Sequence, residues 1–134
     1  MPYSKTIRFK VTIPAGQAAG SVLAGDKAQI IDDPVVGARN LVTIPFNETW
    51  FITDIYVKSK PSYDFVLRIK KGREPKLETP PVSSLLVSNP SRPQLPVLMF
   101  EPNSQLTIEA VNIDANTGTT DYKFEVFATV EVYP

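Results

Sequence analysis

DYKFEVFATVEVY, residues 121–133, is the longest unbroken alternation in the chain. Tyr122, Phe124, Val126, Ala128, Val130 and Val132 fall on one side of an extended backbone. Lys123, Glu125, Phe127, Thr129, Glu131 and Tyr133 fall on the other, because successive side chains of a strand point to opposite faces. Thirteen residues at roughly 3.3 Å each span about 43 Å, so a bend or bulge is expected partway along. Lys5 to Ile13 has the same rhythm, with Ile7, Phe9, Val11 and Ile13 set against Thr6, Arg8, Lys10 and Thr12.

Working inward from these two segments, each further apolar run is short and bounded by turn residues. Leu41 to Ile44 reads as a strand closed by Pro45-Phe46-Asn47, and Thr49 to Lys58 as a strand that is apolar on both faces. Tyr63 to Lys71 alternates Phe65, Leu67 and Ile69 with Arg68 and Lys70, and Gly72 ends it. From Arg73 to Pro96, Pro75, Pro80, Pro81, Pro90, Pro93 and Pro96 surround one apolar piece, Val82 to Val87. Proline has no amide donor for a central ladder, so this piece is predicted to be an edge strand within a proline-rich segment at 73–96. Leu95 to Phe100 and Gln105 to Asn112 complete the set. Residues 14–40 form a long Gly- and Ala-rich loop with a short strand at Ala28 to Ile31. Loops of this length in compact domains are usually functional or mobile.

Eight such strands without a helical period predict an all-β fold in one domain over 1–134, an eight-stranded antiparallel jelly-roll sandwich. An immunoglobulin-like sandwich is the alternative, although the chain lacks its Cys-Trp-Cys signature. The jelly roll makes the first and last strands neighbours, which sets Arg8 and Lys10 beside Glu125 and Glu131.

Composition narrows the function. The 134 residues contain no histidine and no cysteine. That removes disulfides, thiolate chemistry, imidazole ligation and the usual general base near neutral pH. We expect a non-enzymatic protein with no catalytic, cofactor-binding or metal-binding residues. Fourteen basic residues balance fourteen acidic ones, so the whole molecule has no pull toward nucleic acid. No apolar stretch is long enough for membrane insertion, and Met1-Pro2-Tyr3-Ser4-Lys5 does not begin a signal peptide. The 13 prolines and the missing cysteine also suit a heat-tolerant protein.

Charge is nevertheless uneven. Lys58, Lys60, Arg68, Lys70, Lys71, Arg73 and Lys76 face only Asp64 and Glu74 in one segment. Glu101, Glu109, Asp114, Asp121, Glu125 and Glu131 face only Lys123 in another. Two solvated faces are the simpler reading, and a basic edge meeting the acidic edge of a second copy is the sharper one. Phe127 and Tyr133 share the outer side of the last strand with Glu125 and Glu131, which suggests a subunit interface unless the arm Met1 to Ser4 covers them. The expected interface set is therefore Phe127, Tyr133, Lys70, Lys71, Arg73, Glu125 and Glu131.

Other constellations have simpler explanations. Asp32-Asp33, and Asp114 with Asn112 and Asn116, lack the regular spacing of a calcium loop. Trp50, Phe51, Tyr56 and Tyr63 could stack a sugar, but core packing is the commoner use of such rings. Asp54 and Asp64 could serve glycosidase chemistry only if a cleft brought them together. Asn47-Glu48-Thr49 matches the glycosylation triplet, which without a sign of secretion is expected to be chance.

The strand rhythm, together with IPFNETWFITDI at 44–55 and FEPNSQLTI at 100–108, resembles the single jelly-roll structural proteins of viruses and phages. The resemblance spans the full length and contains no diagnostic motif. It implies a cofactor-free capsid or spike subunit, located in the virion, that acts by self-assembly as a homo-oligomer and with other virion proteins. The alternatives are a carbohydrate- or receptor-binding module using the 14–40 loop and the aromatics near Trp50, and a cell-surface or filament subunit.

Overall fold

The computed structural model of the protein describes residues 1–31 and 40–134. Among these residues ten strands form: β1 (Tyr3–Ile13), β2 (Val22–Leu23), β3 (Ala28–Ile31), β4 (Leu41–Thr43), β5 (Thr49–Tyr56), β6 (Phe65–Lys71), β7 (Glu74–Glu78), β8 (Leu98–Phe100), β9 (Gln105–Asn112) and β10 (Tyr122–Tyr133). The first sheet runs β3-β1-β10-β5-β8. The second runs β2-β9-β6-β7, with β4 also paired to β9, and every strand pairing is antiparallel.

The two alternating segments read from the sequence lie side by side. Tyr3 sits opposite Val132 and Ile13 opposite Tyr122, so β1 and β10 pair over eleven residues without a break. Their inward side chains, Ile7, Phe9, Val11, Val126, Ala128 and Val130, are fully buried. Phe65, Leu67, Ile69, Leu106 and Ile108 close the same core from the second sheet. An interior of this composition gains stability by removing apolar surface from water and by close packing.

Four readings of local structure need correction. The described residues form ten strands rather than eight, because β2 and β7 lie where loop was expected and the short β3 adds a third, while the expected strand at 82–87 is absent. β7 contains Pro75, which is tolerated since β7 is an edge and its ladder to β6 shifts register at Ile69/Lys70. Gly72 adopts φ 62 while Arg73 keeps a negative φ, the pattern of a two-residue type II′ hairpin joining β6 to β7. The expected edge strand Val82 to Val87 instead begins as a 3-10 turn, Val82–Leu85. Val82 and Leu85 are both fully buried, so the operative spacing is three, and the Ser84 amide donates to Pro81 O.

The predicted irregularity of the long last strand belongs to its neighbour. Thr129 pairs with Asp54 but Val130 pairs with Ile52, so Thr53 is an extra residue on β5. Trp50 and Ile52 point inward before the bulge and Ile55 and Val57 after it, which is why residues 49–58 look apolar on both faces. Removing Thr53 would give a regular ladder in which Ile52 and Ile55 still face the core. Deletion of Thr53 is therefore expected to leave a folded protein, whereas deletion of Ile55 would bring Asp54 inward and prevent folding. Circular dichroism and thermal melts of the two deletions check this.

The long loop is tethered over the part described. Gly16 N donates to Asn116 O, and Gly20 N to Asn112 O. Asn112 and Asn116, weighed above as metal neighbours, are buried and fully committed to backbone. Asn112 accepts from Ser21 N and donates to Ala18 O and Asp114 O. Asn116 donates to Ile13 O and Thr120 O and accepts from Gly118 N. The Asp32-Asp33 pair lies outside the described residues.

Candidate assembly surface

The outer face of the first sheet is organised in rows set by strand register. Arg8, Phe127 and Tyr56 form one row, and Thr6, Thr129 and Asp54 the next. Ser4, Glu131, Phe51 and Met99 form a third, and Tyr133 stands beside Thr49 at the end. Two aromatic pairs result. Tyr56 stacks on Phe127 at 5.6 Å between centroids, and Phe51 meets Tyr133 edge-on at 5.3 Å. Tyr133 remains 42% exposed and Met99 47%, so two aromatic clusters, separated by the Thr129 and Asp54 row, face outward from a sheet whose other side already fills the core. The N-terminal arm does not cover it, since Tyr3 and Ser4 extend β1 alongside Val132 and Glu131.

Cations border these rings. Lys58 Nζ lies 4.4 Å from the Phe127 centroid, and the Arg92 guanidinium lies 6.0 Å from that of Tyr56. Arg92 also binds both Asp54 oxygens, at 3.2 and 3.3 Å. Thr53, Asp54, Arg92, Pro93, Gln94, Leu95 and Val97 line an open groove of about 430 Å³ beside the rings. Arg8 reaches Glu125 at 3.0 Å, the cross-strand pair expected when β1 and β10 are neighbours. Both groups are more than a third exposed, so the pair contributes roughly 0.2–1 kcal/mol.

The second sheet presents a different outer face. Arg68 pairs with Glu78 at 2.7 Å and with Glu109 at 3.4 Å, Lys70 with Glu109 at 3.8 Å, and Lys76 with Glu74 at 2.8 Å. Lys71 binds Glu101 at 2.9 Å and lies 5.5 Å from the Phe100 ring centroid. The Lys71 ammonium holds the Glu101 carboxyl below the usual carboxylate range, and the Lys76 ammonium does the same for Glu74. Whatever these two pairs contribute is present above that range and lost as acid protonates the carboxylates.

The expected interface set thus divides between two places. Phe127, Tyr133, Glu125 and Glu131 share the first sheet's outer face, on β10. Lys70 and Lys71 are on β6 of the second sheet, and Arg73 is in the β6–β7 turn. Lys70 and Lys71 are neutralised by acids from the same chain. Phe51, Tyr56, Met99, Lys58 and Arg92 complete the aromatic face but were not singled out for it. The β5 bulge that turns Phe51 and Tyr56 outward gives no signal in a single sequence.

The remaining candidates resolve into structural roles. Trp50 is 2% exposed and donates from Nε1 to Glu48 at 2.8 Å, so it cannot offer a face to a sugar. Tyr63 packs edge-on against Tyr122. Asp64 accepts from the amides of Phe65 and Ser83 and from the Ser83 hydroxyl, while Asp54 is held by Arg92. Among the described residues there is no group of three or more metal-ligating side chains, and no helix is long and apolar enough to cross a membrane.

The molecule is therefore a β-sandwich with one aromatic, cation-bordered face. No family model matches the chain. It is similar to "Capsid protein VP4" of Sulfolobus polyhedral virus 1, with 34% identity over 104 residues. The match covers 69% of this chain and spans 57% of that protein's length.

Proposed function

We propose that this protein is a virion structural subunit with a jelly-roll fold that acts by association with further copies and with other virion components. Setting aside β2 and β3, the remaining strands number one to eight in chain order as β1 and β4 to β10. Their sheet orders become 1-8-3-6 and 2-7-4-5, the order produced by the two interlocked Greek keys of a jelly roll. Similarity to a capsid protein supports the virion role. The observation that carries the surface assignment is the outward aromatic set on β5 and β10, Phe51 with Tyr133 and Tyr56 with Phe127. Among the described residues the second sheet's outer face has no such aromatic set; it carries the paired charges and a short row of Val22, Val111 and Val66.

The double variant Phe127→Ala/Tyr133→Ala tests the surface. Buried aromatic anchors at interfaces typically contribute 2 kcal/mol or more each, so self-association measured by sedimentation is expected to weaken by about a hundredfold or more. Folding stability should fall by only about 1–2 kcal/mol, since both rings are partly exposed. Unchanged association would refute the assignment.

A further inference from the structure

We propose that the occupant of the aromatic face is a second copy of this chain, packed first sheet on first sheet about a two-fold axis near Phe127. The inference rests on the assembly reading above and adds partner, orientation and symmetry.

Charge is graded along the face. Lys10 and Lys123 stand at one end of the β1–β10 pair, with Lys58 beside Phe127. Arg8 is also there, and the acids at that end are Glu125, which Arg8 binds, and Asp121 just before β10, which accepts from Ala15 N. At the other end are Glu131, Phe51, Tyr133 and Met99. Glu131 accepts a 3.4 Å hydrogen bond from the Tyr133 hydroxyl, and among the described residues no cation forms an ion pair with it. Phe127 is midway between Lys123 and Glu131 on the strand.

A rotation of 180° about an axis through Phe127 brings the cationic end of one copy over the carboxylate and aromatic end of the other, and does so twice. Superposing the faces without that reversal would set Lys123 over Lys123. The chain already displays the contact that the reversed arrangement repeats, since Lys58 and Arg92 lie over Phe127 and Tyr56. Packed sheets keep their strands within about 30° of alignment, which two antiparallel β10 strands satisfy. Five strands about 4.8 Å apart and twelve residues at about 3.3 Å give a face of at most roughly 20 by 40 Å. That is the scale of the about 800 Å² per partner found in standard interfaces.

The test uses charge reversal and mixing. Lys58→Glu/Lys123→Glu is one variant and Glu131→Lys the other, all three being surface side chains. Each variant alone places like charges opposite one another and is expected to weaken self-association at least about tenfold. An equimolar mixture should restore it to within about threefold of wild type, as a closed species of two chains, because each variant then meets its complement at both contacts. Melting temperatures within about 2 °C of wild type show that folding is intact. Variants that associate like wild type, a mixture no tighter than either variant, or a mixture that grows beyond two chains with concentration would each overturn the two-fold pairing. A wild-type chain that stays monomeric and binds only a companion chain through this face would overturn the choice of occupant. The Phe127→Ala/Tyr133→Ala result is independent of orientation, so it separates failure of the pairing from failure of the surface assignment.

Discussion

Replacing Trp50 with alanine is expected to destabilise the fold by about 3–5 kcal/mol, the range found when a large buried aromatic is truncated and its cavity persists. Trp50 is 2% exposed, pairs in register with Val132 on β10 and Phe100 on β8, and lies under the Lys5 ammonium at 3.9 Å. Its removal therefore opens the core beneath three strands and leaves Glu48 without the indole donor. Domains of this kind are stable by about 5–15 kcal/mol, so roughly a fifth of the total at the least, and all of it at the most, would be lost. Urea unfolding monitored by circular dichroism measures this as a lower midpoint with an unchanged slope. Trp50→Phe should lose distinctly less. A stable Trp50→Ala protein that had lost binding to a glycan would instead support the sugar-platform reading and contradict the burial described above.

Asn112→Ala is the second substitution with a large expected effect, about 2–4 kcal/mol, although it deletes only a small polar side chain. The cost comes from what remains. Ser21 N, Ala18 O and Asp114 O all take their partner from this one amide, and the residue itself is fully buried. Each buried group stripped of its partner costs about 1–3 kcal/mol, less where water reaches it. Asn112→Asp should be at least as damaging, since a carboxylate would face two carbonyl oxygens. Hydrogen exchange should show faster opening of residues 16–23 and 112–116 in either variant, with β1 and β10 last to open. A neutral result would mean that the loop is held by other contacts, such as Gly20 N to Asn112 O, which a backbone bond preserves in both variants.

The aromatic face also bears on how such a molecule avoids indiscriminate aggregation. β7, an edge strand, contains Glu74, Pro75, Lys76 and Glu78. Proline and charge discourage strand addition there. At the other sheet's edge, β8 is only three residues long. With both of these edges blunted, the association proposed above would fall to a face, where side-chain shape and charge order select the partner.

About half of the candidate surface was legible in the sequence. Phe127, Tyr133, Glu125 and Glu131 could be placed together because alternation along a single strand is local, and a period of two needs no knowledge of neighbours. Lys70, Lys71 and Arg73 were joined to them by charge counting. Their actual positions depend on which strands share a sheet, and the acids that neutralise Lys70 and Lys71 lie more than thirty residues away or thirty exactly in the case of Glu101. Phe51 and Tyr56 were hidden because their positions differ by five, an odd offset that in a regular strand would put them on opposite faces.

By itself, then, the sequence determined an all-β chain with the strands β1, β9 and β10 nearly to their ends, the apolar side of each, and a chemistry without imidazole or thiol. Those properties follow from the local stereochemistry of an extended backbone and from composition. The tertiary structure decided the Thr53 bulge, the strand containing Pro75, the turn at Val82–Leu85, the burial of Trp50 and the separation of paired charges from the aromatic face. Each depends on the register against a partner strand, and a register is fixed only when distant segments meet around a common core.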